Sequence, residues 1–307
     1  MENNRDTPMS IQELVINFHM TETCNFRCEY CYATWDGNNS QQELHHSYSN
    51  IKELVTKTAN YFLNDNPIKQ KLGYKTVRLN FAGGEPVMLG SRFIKAILLA
   101  KSLELNTSLI TNGHLLTNTM ISKISPHLDM LGISFDTADH LLADNIGRVD
   151  RKKDWLSPQR LEEIVSHYRQ SNPCGIVKIN TVVNKYNWEE TLTATITKIM
   201  PDKWKILRVL PVYSDSLCVT QQQYKHYITK HQSLSNIIVA EDNDDMWQSY
   251  LMLNPEGKFY QNSGPCEGIK QSPSILDVSI TDALTHIEFN PDTFAKRYKS
   301  NIDFQEI

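Results

Sequence analysis

Glu13-Leu14-Val15-Ile16-Asn17-Phe18-His19-Met20 runs, after three residues, into Cys24-Asn25-Phe26-Arg27-Cys28-Glu29-Tyr30-Cys31. The first part reads as a strand and the second as the loop that leaves it. The three thiols are close enough in sequence to wrap one small metal centre. Thiolates are soft ligands and select iron–sulfur clusters, zinc or copper(I). A closed structural site takes four protein ligands, and the next cysteine is the distant Cys174. Three ligands on a four-iron cluster leave one iron open to an outside ligand. A zinc knuckle with a remote fourth ligand, or buried free thiols, is the plainer reading of the same short motif.

Outward from this loop the chain alternates. Strand patterns at 12–20, 75–82, 107–111, 129–136, 175–183 and 203–210 are each followed by helical spacing, at 48–63, 91–104, 115–124, 159–170, 189–200 and 220–233. Such alternation predicts βαβ units and a parallel sheet. The fold class expected is α/β, a partial (β/α)6 TIM-like barrel over 12–214. Residues 1–11 are expected to be a polar tail, and 215–307 a C-terminal α+β extension over the barrel's open side. Trp35 to Ser47 is expected to be a mobile segment or lid, 137–157 a polar connection, and the acidic run Glu241 to Asp245 a solvated loop.

The strands carry a second pattern, since alternate residues of a barrel strand face the lumen. Leu14, Ile16 and Phe18 oppose Asn17 and His19; Val77, Leu79 and Phe81 oppose Arg78 and Asn80; Leu131, Ile133 and Phe135 oppose Gly132, Ser134 and Asp136; Val177, Ile179 and Thr181 oppose Lys178 and Asn180. The polar sets predict a lumen for a charged ligand. Arg78, Arg148, Lys178, Lys203, Lys205 and Arg208 form a candidate polyphosphate cradle, because Arg and Lys bind phosphate through charge-assisted hydrogen bonds. Each lysine taken alone reads as a solvated strand end.

With 307 residues and 40 % hydrophobic content the chain can bury a substantial core. Its formal charge of −4 argues against nonspecific nucleic-acid binding. No stretch is apolar enough for a membrane span. The polar N-terminus has no signal-peptide core, and six cysteines, three of them clustered, suit a reducing compartment. The chain is expected in the cytoplasm.

The cysteine spacing, with Tyr30 before the third cysteine, resembles that of the radical S-adenosylmethionine (SAM) enzymes, as does Gly83-Gly84-Glu85-Pro86 after the second strand. Asn17-Phe18-His19, Leu79 to Pro86, Thr111-Asn112-Gly113, Ile133 to Asp136, Ile146-Gly147-Arg148, Lys178-Ile179-Asn180, Lys203-Trp204-Lys205 and Ser274 to Val278 resemble, in order, the viperin family. The resemblance implies a radical SAM partial barrel and a [4Fe-4S] cluster on Cys24, Cys28 and Cys31. It implies SAM bound by Tyr30, Gly83, Gly84, Glu85, Asn112, Ser134, Arg148 and Asn180. It gives a nucleoside triphosphate to Asn17, His19, Arg78, Lys178, Lys203 and Lys205, with Arg208 added where the animal pattern has a neutral residue. Arg78 and Lys203 exchange Lys and Arg with that pattern, Ala82 stands in place of Ser, and the amphipathic N-terminal membrane helix is absent.

The implied reaction is antiviral. A 5′-deoxyadenosyl radical takes the C4′ hydrogen of a ribonucleoside triphosphate, the 3′-hydroxyl leaves as water, and a second electron gives the 3′-deoxy-3′,4′-didehydro nucleotide. The base (CTP, UTP, GTP or ATP), the general acid and the oligomeric state stay open. Electrons come from a donor such as flavodoxin or ferredoxin. The rival readings are another radical SAM enzyme, such as a peptide-modifying one, and a non-catalytic zinc-stabilised nucleotide- or RNA-binding module.

Overall fold

Leu14, Ile16 and Phe18 are fully buried, as are Leu79, Phe81, Ile133, Val177 and Ile179. These outward faces of the strands pack on the helices, and the polar faces are left to the interior. The structure, a computed structural model, describes residues 11–31, 42–262, 265–266 and 268–297. Residues 1–10 of the expected tail 1–11, and the part of the expected lid from Trp35 to residue 41, lie outside the described residues; Ile11 itself is buried in the core.

The strands are β1 (Glu13–His19), β2 (Thr76–Ala82), β3 (Asn106–Thr111), β4 (Met130–Ser134), β5 (Ile176–Val183), β6 (Lys203–Arg208), β7 (Ile238–Glu241), β8 (Leu251–Leu253), β9 (Lys258–Asn262) and β10 (Ile269–Ser274). One sheet holds them in the order β10-β9-β8-β1-β2-β3-β4-β5-β6-β7. β1 to β7 pair in parallel with their neighbours, β8 pairs in parallel with β1, and β9 and β10 are antiparallel. The six strand–helix units read from the sequence thus form the partial barrel. The stretch after residue 214 adds one parallel strand at each edge.

Three expectations need correction. The connection 137–157 contains a helix, His140–Ile146, with Asp139 as its N-cap and Gly147 (φ 80°) at its C-terminal end. Two short residues of helix-capping character mark it, but its apolar stripe is too brief to stand out. Glu241 to Asp245 is not a solvated loop. Glu241 ends β7 and is buried, and Asp242 caps a one-turn helix, Asn243–Met246, through a capping box. Local acidity predicted solvent, but an interior supplied with cations overrides it. The Gly- and Pro-containing stretch before Ser272 reads as a loop, but its last residues, from Ile269, already belong to β10. Among the described residues no helix is long and apolar enough to cross a membrane.

Candidate active site

The cysteine loop leaves the C-terminal end of β1, the end at which barrel sites are built. Its backbone is tied to the turn after helix His140–Ile146: Arg27 N donates to Gly147 O at 3.0 Å and Glu29 N to Ile146 O at 3.0 Å. Gly147 must be glycine for this approach, since a Cβ there would lie 2.1 Å from Arg27 O. Phe26 anchors the loop in the interior, with the Arg148 guanidinium 5.8 Å from its ring centre. Phe26 N (3.4 Å) and Asn112 Nδ2 (3.7 Å) both point at Cys24 Sγ. Burial raises the Cys24 thiol to about 11 and raises Cys28 also; metal binding there would have to release those protons.

Cys24, Cys28 and Cys31 are all thiols and partly exposed. Among the described residues the trio of ligating side chains that converges to within 4.8 Å is Glu43, His45 and His46, not the cysteines. Three thiols on one loop can hold three irons of a four-iron cluster and leave the fourth to an outside ligand.

The glycine motif sits directly against this loop. Gly84 N donates to Thr21 O at 2.6 Å and Glu85 N to Thr23 O at 2.8 Å. Cβ atoms on Gly83 and Gly84 would fall 2.5 Å from Thr21 O and 2.3 Å from Thr23 O. The Glu85 carboxylate turns inward, accepting from Val87 N, Thr111 Oγ1 and Asn112 N at 3.0, 2.8 and 2.7 Å. It thereby joins the glycine turn to the end of β3.

Tyr30, Ser134 and Arg148 come together across the barrel top. Tyr30 donates to Asp136, Arg148 Nη1 donates to Tyr30 Oη at 3.2 Å, and Arg148 pairs with Asp136 at 3.4 Å. Arg148 also reaches Ser134 O. Burial works against the guanidinium's charge, but Asp136 and Tyr30 outweigh it and raise its pKa. Asp136, a hub that also takes Val182 N at 2.9 Å, was not singled out as a site residue, although it ends the quoted Ile133–Asp136 motif. Asn180 lies beside Ser134 in register, and its Oδ1 is buried without a partner. An orphaned acceptor at this place suits a bound polar ligand such as SAM.

The cavity beneath is lined by Asn17, His19, Tyr30, Cys31, Asn80, Ala82, Val182 and Tyr250, among others. A row of hydrogen bonds crosses its wall, from Ser108 Oγ to Asn80 Oδ1 (2.6 Å) and from Asn80 Nδ2 to Asn17 Oδ1 (2.7 Å). His19 Nδ1 meets Tyr260 Oη at 2.8 Å. Burial lowers its pKa to about 4, so the ring is neutral at pH 7.

The predicted cradle divides. Arg78 lies 3.2 Å from Glu13 and donates to Met130 Sδ. Lys205 pairs with Glu241 at 2.6 Å and donates to Tyr250 Oη at 2.8 Å. Burial pulls Lys205 down to about 8 although Glu241 opposes it. Burial would raise Glu241, but Lys205 and Arg297 hold it at about 2. Lys178 has no hydrogen-bond or ion-pair partner among the described residues. Its pKa falls well below that of a free lysine through burial, and then through Lys205 and Arg78. Gly132 is its neighbour in register, and a Cβ there would meet Ile110 Cδ1 at 2.3 Å rather than crowd the lysine.

Lys203, at the start of β6, is exposed at the opposite end from the cysteines. Arg208 lines the cavity, but its guanidinium is committed, donating to Val219 O at 2.9 and 2.7 Å and to Asp242 at 3.0 Å. Those acceptors come from the stretch after residue 214, out of reach of strand-by-strand reading. Tyr250, Met252 and Asn262 also line the cavity. They were missed because β8 and β9 join the barrel edge from far along the chain.

Residues 18–194 match the model of the Radical SAM superfamily. A protein of Pseudoalteromonas ulvae called S-adenosylmethionine-dependent nucleotide dehydratase is 64 % identical, over 95 % of this chain and 94 % of its own. A protein of Siniperca chuatsi called S-adenosylmethionine-dependent nucleotide dehydratase RSAD2 is 28 % identical, over 96 % of this chain and 79 % of its own. The solved structure of native anSMEcpe with bound AdoMet and Cp18Cys peptide superposes with a TM-score of 0.65 at 14 % identity, covering 96 % of this chain and 97 % of that one, a likeness of fold alone. A cysteine loop and a glycine turn locked together at a barrel's C-terminal rim, with matches that run the length of the chain, make this protein a member of the radical SAM superfamily and, within it, of the S-adenosylmethionine-dependent nucleotide dehydratases, the viperin family.

Proposed function

We propose that this chain dehydrates a ribonucleoside triphosphate to its 3′-deoxy-3′,4′-didehydro analogue, in antiviral defence. Lys178 carries this reading. A half-buried lysine with no hydrogen-bond or ion-pair partner among the described residues, beside Arg78, Lys205 and Arg297 and opposed by Glu241, is a cation that a bound polyanion would stabilise. Lys178 is the principal phosphate ligand, and Arg78 and Lys205 reinforce the field. Lys203 supplies charge at the far opening, and Arg208 braces the wall. Asn17, His19 and Asn80 meet the sugar.

Cys24, Cys28 and Cys31 hold the cluster. Tyr30, Gly83, Gly84, Glu85, Asn112, Ser134, Arg148 and Asn180 frame SAM. Bound together, the cluster and SAM supply the 5′-deoxyadenosyl radical that takes the C4′ hydrogen. The chain's own work is placement, since holding reactants in a near-attack geometry removes much of the barrier. Loss of the 3′-hydroxyl needs a proton; Tyr250, in the cavity wall, gives its own to Glu241 and accepts from Lys205, so it braces the wall rather than serving as the acid. The electron donor is a flavodoxin- or ferredoxin-class carrier, and the compartment is the cytoplasm.

The test is Lys178→Met. Hydrogen bonds to charged groups contribute roughly 1.5–3 kcal/mol, so KM for triphosphate should rise about ten- to a hundredfold. Iron content and the slow cleavage of SAM without nucleotide should stay as in the wild type. An unchanged KM would remove the main physical support for a triphosphate.

A further inference from the structure

Glu43, His45 and Arg92 form a chain that runs from the buried interior to the surface, outside the groups assigned above. Glu43 Oε1 accepts from Glu22 N at 2.7 Å; Oε2 accepts from Thr21 Oγ1 at 2.7 Å and from His45 Nε2 at 2.7 Å. His45 Nδ1 faces Arg92 Nη1 at 3.1 Å. Arginine can only donate, so Nδ1 is the acceptor and the ring proton sits on Nε2, toward Glu43. Glu43 and Thr21 are almost fully buried, whereas Arg92 is exposed on helix Ser91–Ser102.

Glu43, His45 and His46 have the convergence of a metal site. Yet both carboxylate oxygens already accept from the protein, and a guanidinium occupies the far nitrogen of His45. A cation would have to displace these bonds and lie beside another positive charge.

What the carboxylate grips is the stretch between β1 and the first cysteine. Thr21 O and Thr23 O are the acceptors for Gly84 N and Glu85 N, and Thr23 N donates to Thr21 Oγ1 at 3.0 Å. The same three residues therefore carry the glycine turn on one side and the Glu43 carboxylate on the other, and they lead directly into Cys24. We propose that Glu43, oriented by His45 and Arg92, is a positioning residue that sets the SAM-binding glycine turn in register with the cluster loop. The assignment rests on the reading of this site as a cluster–SAM site. A carboxylate suits the task because it accepts from one backbone N–H and two side chains at once, where an amide would present a donor to at least one of them.

The test compares reconstituted wild type, Glu43→Gln and Arg92→Ala. SAM affinity is measured by calorimetry, the reduced-cluster EPR spectrum is recorded with and without SAM, and iron and the ratio of 5′-deoxyadenosine to dehydrated nucleotide are assayed. Glu43→Gln should bind iron fully, weaken SAM binding roughly tenfold, alter the SAM-dependent EPR change and raise the ratio. Arg92→Ala, a surface change that leaves the fold intact should Glu43→Gln fail to fold, should do the same to a smaller degree. KM for the nucleotide should not move. SAM affinity and EPR response identical to wild type in the folded variants would overturn the assignment, leaving Glu43 a structural group. If the wild type forms no dehydrated nucleotide, the proposed reaction fails, while the binding and EPR arms still decide the role of Glu43.

Discussion

Lys178 and Lys205 lie on the inward faces of adjacent strands, and sequence alternation treats them alike. The structure separates them, because Lys205 pairs directly with Glu241, whereas Lys178 has no hydrogen bond or ion pair among the described residues and feels Glu241 only at a distance. The alternation of faces was legible because it is local. The partner was not, because Glu241 lies on a strand that arrives from beyond residue 214 and was read as solvated. His19 gives a prediction at the same scale. Its folded-state pKa is lowered from 6.5 to about 4 by burial. Above pH 6.5 the group is neutral in both states and its native environment contributes fully. As pH falls from 6.5 toward about 4, the unfolded chain takes up a proton that the folded one refuses, so stability drops. Urea unfolding of the cluster-free chain should show a loss of about 2 kcal/mol from this group between pH 7 and pH 5. His19→Asn should flatten that part of the profile, and an equal slope in the variant would assign the loss elsewhere.

Two elements hold the site in shape, and each predicts a vulnerability. The glycine turn after β2 touches the backbone before Cys24 so closely that a Cβ on Gly84 would stand 2.3 Å from Thr23 O. Backbone cannot swing aside as a long side chain does. Gly84→Ala should therefore push the turn away from the cluster loop, weakening SAM binding at least tenfold while the barrel core stays folded; calorimetry and far-UV circular dichroism would separate the two effects. The motif and its place after a strand were readable from the sequence, and the reason for both glycines was not, since it lies in the packing against Thr21 and Thr23. The second element is the barrel seam. β7 and β8 sit on opposite flanks of the sheet order. Side chains connect them: Glu241 of β7 takes Lys205, Arg297 and Tyr250, the residue just before β8, and Arg297 lies 3.6 Å over the Tyr250 ring. Glu241→Ala leaves two buried cations without their acceptor. Breaking a buried pair in this way typically costs about 3–5 kcal/mol, to be read as a fall in the chemical denaturation midpoint. A surface-like change below 1 kcal/mol would show that water, not Glu241, balances the seam.

As a whole the molecule is a barrel with an apolar exterior layer of helices and a charged interior. The rim holds thiols, the glycine turn and the Tyr30–Asp136–Arg148 cluster; the floor holds Lys178 and Arg78. On the proposed function, radical generation belongs at the rim and phosphate recognition at the floor, with the ribose between them. The most direct measurement incubates reduced, cluster-loaded enzyme and SAM with each of the four ribonucleoside triphosphates and follows products by mass. The account predicts, for at least one triphosphate, a nucleotide lighter by one water that forms in step with 5′-deoxyadenosine. Formation of 5′-deoxyadenosine with all four triphosphates returned unchanged would contradict it.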